Sequence, residues 1–153
     1  MAEYSRVGAV RIATYDTTTI LFEAEPEVDV VLGHPGKAIA DDIISITDAQ
    51  ASQEIGPMGP RRIRDETIEQ QLIISIWRAG GREQERVTQE RAFEVLGRIE
   101  NHFRKSDTEL GGLVLWCFVT NVLLEGTPPE LVGKGRMTQL TVTFTAQARI
   151  QTA

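Results

Sequence analysis

The stretch from Leu140 to Ile150 alternates without a single error. Leu140, Val142, Phe144, Ala146, Ala148 and Ile150 fall on one side, and Thr141, Thr143, Thr145, Gln147 and Arg149 fall on the other. A period of two predicts a β-strand with one dry face and one wet face. Extended back through Met137, this strand would run ~40 Å at about 3.3 Å per residue, long beside the usual strand of about 5–6 residues. Its wet face holds Thr, Gln and one Arg, with no carboxylate, His or Ser. An element of this kind builds a surface and performs no chemistry.

The rest of the chain reads around that strand. Val7, Val10, Thr14, Thr17, Leu21 and Ala24 step at helical spacing and predict an N-terminal helix within 5–24 that ends before Pro26. The β-branched run at 17–20 weakens that helix. Val28 to Leu32 is a short apolar strand, and Asp42 to Thr47 predicts a second. Ala49 to Arg64, with Gly56-Pro57-Met58-Gly59-Pro60 in its middle, predicts a long flexible loop at about 49–64. Glu66 to Trp77 alternates again, with Ile68, Leu72, Ile74 and Ile76 on one face and Gln70 the exception there. Glu83 to Lys105 carries an Ala92, Leu96, Ile99, Phe103 stripe and predicts the main helix. Leu113 to Leu124 is apolar on both sides, which predicts a strand covered on both sides, by a helix and by more of this chain or a neighbouring subunit. A Gly/Pro-rich loop, Gly126 to Gly135, leads into the final strand. The expected fold class is α+β: a mixed, mostly antiparallel sheet with helices packed on one face, in one domain spanning 1–153.

Composition narrows the function. A net charge of −6 and a pI of about 5.0 argue against a generic nucleic-acid binder and suit a surface that repels phosphate. A single cysteine excludes an internal disulfide framework and a cysteine-based zinc site. No apolar run reaches the ~20 residues that span a bilayer, and no signal peptide is visible, which points to a protein made in a cytoplasm and not inserted in a membrane.

The search for chemistry returns little. His34, in a Gly-Pro loop, and His102, near a helix end, could meet Asp41 and Asp42 around a metal, but no spacing matches a known ligand set. Cys117 reads as an inert core thiol. The segment Gly33 to Lys37 lacks the spacing of a phosphate loop. The acidic residues Glu23, Glu25, Glu27 and Asp29 read as a solvated run or a negative rim in an assembly. Arg61, Arg62 and Arg64 form a basic cluster with three readings: solvated charges, a phosphate clamp, or partners for acids on another subunit. Trp77 and Trp116 read as core or interface anchors. No catalytic, cofactor or metal residues are assigned.

The order and spacing of several short motifs carry a resemblance. A strand ends in Ile74-Ser75-Ile76-Trp77 before Gly80-Gly81. A helix follows with Arg91-Ala92-Phe93-Glu94-Val95-Leu96, then the turn Leu110-Gly111-Gly112, a Trp-bearing strand and the final strand Leu140 to Ile150. This arrangement resembles the tail terminator proteins of long-tailed (siphovirus) phages, especially those infecting actinobacteria, over roughly 28–36 and 64–151. Residues 38–63 do not align. The resemblance implies a non-enzymatic virion protein of the head–tail junction, assembled in the host bacterial cytoplasm and needing no cofactor. It implies a homo-hexameric ring that caps the tail tube, contacts the major tail tube protein, docks to the head–tail connector or head-closure protein, and passes phage DNA through its lumen without specific binding. Arg61, Arg62, Arg64, Met58, Lys134 and Arg136 are then candidates for contacts to subunit, tube or connector. Thr141, Thr143, Thr145, Gln147 and Arg149 are candidates for a lumen or interface face. Competing readings are another neck component (a head-closure or tail-completion protein), a small non-enzymatic protein-binding module, and an acid–base enzyme using Glu66, Glu69 or His34 with Asp41.

Overall fold

The computed structural model describes residues 4–36, 40–55 and 63–151. The elements run α1 (Val7–Leu21), β1 (Val28–Leu32), β2 (Asp42–Ile55), β3 (Ile63–Ala79), α2 (Glu83–Asn101), β4 (Trp116–Glu125) and β5 (Gly135–Gln151). A five-residue π-helical turn, His102–Ser106, extends α2, and a 3-10 turn, Pro129–Leu131, precedes β5. The five strands form one sheet in the order β1-β2-β3-β5-β4. Only β1 and β2 are parallel; the other pairs are antiparallel. The sheet is therefore mixed and mostly antiparallel, and with both helices on one face the fold is α+β.

The dry face of β5 is dry in fact: Leu140, Val142, Phe144, Ala146, Ala148 and Ile150 are all buried. They pack with Ile44, Ile46, Ile68, Leu72, Ile74 and Ile76 under Val10 of α1 and Ala92, Val95, Leu96 and Ile99 of α2. Phe103 closes the core against Phe144, with ring centroids 4.6 Å apart. The β-branched residues of α1 are held in the helix by back-bonding: the hydroxyls of Thr14, Thr18 and Thr19 donate to the carbonyls of Val10, Thr14 and Tyr15. For Thr14 and Thr18 that satisfies polar groups that would otherwise be buried without partners.

Two expectations need correction. The stretch 49–64 is mostly strand: β2 continues to Ile55 and β3 begins at Ile63, paired through Ala49↔Gln70 to Ile55↔Arg64 after a bulge between Ile46 and Ala49. Backbone pairing, which needs no apolar side chain, holds this arm together, so hydrophobic periodicity missed it. Met58, Arg61 and Arg62 lie outside the described residues. The second concerns β4, which starts at Trp116 and is not covered on both sides by its own chain, leaving only a neighbouring subunit to do so: Phe118, Val122, Leu123 and Leu124 are 50%, 37%, 53% and 44% exposed. It is an edge strand, and a bulge between Val119 and Asn121 shifts which side chains share a face. Two polar side chains, Gln70 and Glu66, interrupt the apolar face of β3. Both sit on the helix-covered face and are fully buried. Glu66 accepts from the Arg6 backbone N–H (2.8 Å) and from Gln53 Nε2 (3.0 Å), while Gln70 Nε2 donates to the Asp48 and Gln71 carbonyls.

Candidate functional site

The two helices cover one face of the sheet and leave the other open. Strand alternation puts Ile43, Gln50, Ser52, Glu69, Gln71, Ile73, Ser75, Trp77, Gln139, Thr141, Thr143, Thr145, Gln147 and Arg149 on this open face, with Trp116, Phe118 and Leu123 at its β4 border. The face has two regions of different chemistry.

The Thr/Gln region is partly wired within the chain. Thr145 Oγ1 bonds Thr120 Oγ1 at 2.7 Å, and Gln147 Oε1 accepts from the Trp116 indole at 2.8 Å. Trp116 stacks on Phe118 with centroids 5.0 Å apart. Arg149 does not offer a spare charge to a neighbour: its guanidinium pairs with Asp65 one strand away, at 2.9 Å, directly opposite in register. Thr141 and Thr143 are half-buried, and their hydroxyls have no side-chain partner among the described residues. Beside Thr143, the residues Asp48, Gln50, Glu69 and Gln71 line a polar hollow of about 250 Å³.

The other region, towards the start of β5, is an apolar concavity of about 470 Å³. Ile43, Trp77, Met137 and Leu131 supply its walls, with Asp41 and Lys134 among its lining groups. The Trp77 backbone N–H donates to the Asp41 carbonyl at 2.9 Å, tying the β1–β2 connection to β3.

The basic candidates separate. Lys134 is exposed beside this concavity. Arg136 turns the other way, under α2, where it pairs with Glu85 at 3.6 Å and is half-buried. Glu85 is also held by the Thr127 hydroxyl (2.5 Å), and that hydrogen bond, assisted by Arg136, lowers its pKa. Arg64 is exposed and donates to Gln53 Oε1 at 3.3 Å.

Sequence reasoning missed a charge network at the end of the helix-covered face. Asp42, 3% exposed, accepts from Arg78 at 2.5 Å and from Arg91 at 3.0 Å. Arg91 continues to Glu94 and Glu25, and Glu25 also pairs with Arg98. The Arg98 guanidinium lies over the Phe22 ring, 4.3 Å from its centroid. Glu25 is thus not a free solvated charge: the Arg98 hydrogen bond holds its carboxyl below the usual glutamate value. The signal available in the sequence was the i, i+7 pair Arg91 and Arg98, both on the flank of α2 next to its buried stripe.

The acid–base candidates do not converge. Glu66 is buried under α1 while Glu69 stands on the opposite face, bonded by Gln50 at 2.8 Å. His34 Nδ1 accepts from the Gly36 backbone N–H at 3.0 Å. Among the described residues no group of three His, Cys, Asp or Glu side chains could hold a metal. Burial pushes the Cys117 thiol up to about 12, and it sits against the Thr108 carbonyl at 3.3 Å, as an inert core thiol should. Among the described residues no helix is long and apolar enough to cross a membrane.

No model of a known protein family matches this chain, and no curated protein does so. Among solved structures, it is similar to a chain in the virion of a native gene transfer agent particle, with 12% identity, a TM-score of 0.45, and coverage of 95% of this chain and 98% of that one.

Proposed function

We propose that this protein is a structural component of a phage-type virion, a tail terminator that assembles as a hexameric ring on the end of the tail tube and presents a docking surface to the head connector. The observation that carries this reading is the one-sided sheet. Both α-helices lie on one face, and the opposite face is a broad surface made from the strands, much of it Thr, Gln and Ser. A broad polar sheet face suits a scaffold that docks to other subunits, and the motif order from Ile74 to Ile150 supports the terminator among scaffolds.

In the ring, Thr141 and Thr143 are the free hydroxyls for a lumen or subunit contact, and Lys134 beside the apolar concavity is the basic group placed to meet a tube or connector subunit. Six copies at −6 each give about −36, a field that repels phosphate and lets DNA pass without sticking. Arg64, beside the arm formed by β2 and β3, contributes at the ring's periphery.

The test is imaging. Purified protein is mixed with tail tubes built from the major tail tube protein, and tube ends are viewed by negative stain beside mass photometry of the protein alone. Six-fold caps on tube ends support the reading. Bare tube ends at saturating protein would overturn it, whatever the state of the free protein. Caps seen on the connector but never on tubes would assign the protein to head closure.

A further inference from the structure

Among the described residues, nothing pairs with the outer edge of the far half of β4. All five residues Asn121–Glu125 are exposed. Val122 and Leu124 share the helix-side face, since they pair with the buried Val142 and Leu140, while Asn121, Leu123 and Glu125 share the open face with Thr143, Thr141 and Gln139. The five residues hold no Lys and no Pro, the usual devices that blunt an edge. The bulge lies before them, between Val119 and Asn121, so this arm is a regular ladder with one side unused. Apolar side chains exposed on both faces of one edge strand fit an added strand, which would extend the sheet and cover both faces at once.

We propose that the free protein pairs with a second copy of itself through this edge, β4 against β4, antiparallel about a two-fold axis at Leu123. The pattern of the segment selects this occupant. With Leu123 on the axis, Leu123 meets Leu123 on the open face, Val122 meets Leu124 twice on the helix side, and Asn121 meets Glu125 twice. Every pair joins residues of the same face, which antiparallel pairing requires. No like charges stand opposite each other, and each carboxylate faces an amide donor. Moving the axis to Leu124 sets Leu123 against Glu125. Moving it to Val122 runs the ladder into the bulge. The other edge, β1, is a poorer occupant: Asp29 lies on its open face, opposite Glu125 or Leu123 in the face-matched registers.

The pair is isologous and makes a ten-stranded continuous sheet from the two five-stranded ones. The contact is small: three half-exposed aliphatic side chains and a strand edge on each side place it below about 1,200 Å² in total, in the class of weak, reversible association. It does not rest on the terminator reading. A two-fold edge pair cannot close a six-fold ring, so it is a state of the free protein, and a ring would be built through other surfaces.

Sedimentation of the isolated protein, with concentration raised toward the millimolar, reads the pair directly. Wild type shifts from monomer to dimer as concentration rises. Leu123→Lys puts two ammonium groups face to face on the axis and weakens the dimer by about tenfold or more. The side chain is more than half exposed, so the variant retains its far-ultraviolet circular dichroism. A second arm does not depend on that variant: Leu123→Cys forms a disulfide across the axis under mild oxidation, whereas Ser52→Cys, exposed on the same face but three strands away on β2, does not. A strict monomer throughout, a dimer indifferent to Leu123→Lys, or equal cross-linking from both cysteines overturns the proposal. None of these outcomes depends on whether the protein caps tubes.

Discussion

Gly135 opens β5 opposite Ala79, and the space a methyl group would need there is already taken. A Cβ on Gly135 would stand 2.6 Å from the Arg78 carbonyl oxygen and 2.6 and 2.7 Å from Cζ2 and Cη2 of Trp77. The indole could swing away, but the carbonyl belongs to the β3 backbone in the β3–β5 ladder and cannot retreat without opening it. Overpacking of this kind costs about 1–3 kcal/mol. Against it stands the gain of about 0.4–1 kcal/mol that a Gly→Ala change gives by restricting the unfolded chain. Gly135→Ala should therefore lose roughly 0.5–2 kcal/mol, a fall in Tm of about 2–6 °C for a chain of this size. Gly97 in α2 is the matched control. Nothing lies within 4 Å of its Cβ position, so Gly97→Ala should gain up to about 1 kcal/mol from helix propensity. Urea unfolding followed by tryptophan emission reads both variants, since Trp77 lies over Gly135 and would also shift its emission in the folded state. If Gly135→Ala proved as stable as wild type while Gly97→Ala behaved as expected, the packing of Trp77 over Gly135 would be wrong.

Other outcomes test the charge network and the thiol. Asp42→Ala leaves Arg78 and Arg91 facing each other without their shared carboxylate, and should cost about 3–5 kcal/mol in urea unfolding; a loss below about 1 kcal/mol would mean that water already compensates those charges. Glu25 has its pKa lowered from 4.5, chiefly by Arg98, so its contribution is present above about pH 4.5 and is lost as pH falls through the lower folded-state value. Glu25→Gln should thus be less stable than wild type at pH 7, with the gap in Tm closing below pH 4.5; a gap independent of pH would assign the effect to packing. Cys117, with its thiol pushed up to about 12, should resist Ellman's reagent at pH 8 until urea unfolds the chain, and prompt labelling of the native protein would contradict its burial.

Much of the fold was legible where one face of an element is dry. The alternation of Leu140 to Ile150 and the stripe Ala92, Leu96, Ile99, Phe103 are both buried as their periods predict, because burial on one face leaves a repeating mark. Gln50 to Glu54 left no such mark. These residues are exposed on both sides of the strand, and what makes them β is backbone pairing with β3. In β4, apolarity on both faces predicts cover on both faces, and this chain supplies only part of it, because side chains record what a strand can bury and not whether its own chain or a neighbour buries it. Charged residues were the least legible. Arg136 and Arg149 find partners at Glu85 and Asp65, 51 and 84 positions away, and no local pattern announces pairs so distant.

The strand order also dictates a sequence of folding events. β4 pairs only with β5, and β5 comes last of the five strands along the chain. The β3–β5 ladder joins Ala79 to Gly135 at its near end and Ile63 to Gln151 at its far end, so every rung of it closes a loop that contains α2 and β4. Loops of that length are closed slowly, and contacts of such high sequence separation set folding on the millisecond-to-second scale. Until β5 arrives, β4 has no neighbour, and Phe118, Val122, Leu123 and Leu124 stand in solvent with both strand edges bare. The interval between synthesis of β4 and docking of β5 is therefore the chain's window for misassembly, and slowing translation between the two strands should lengthen it.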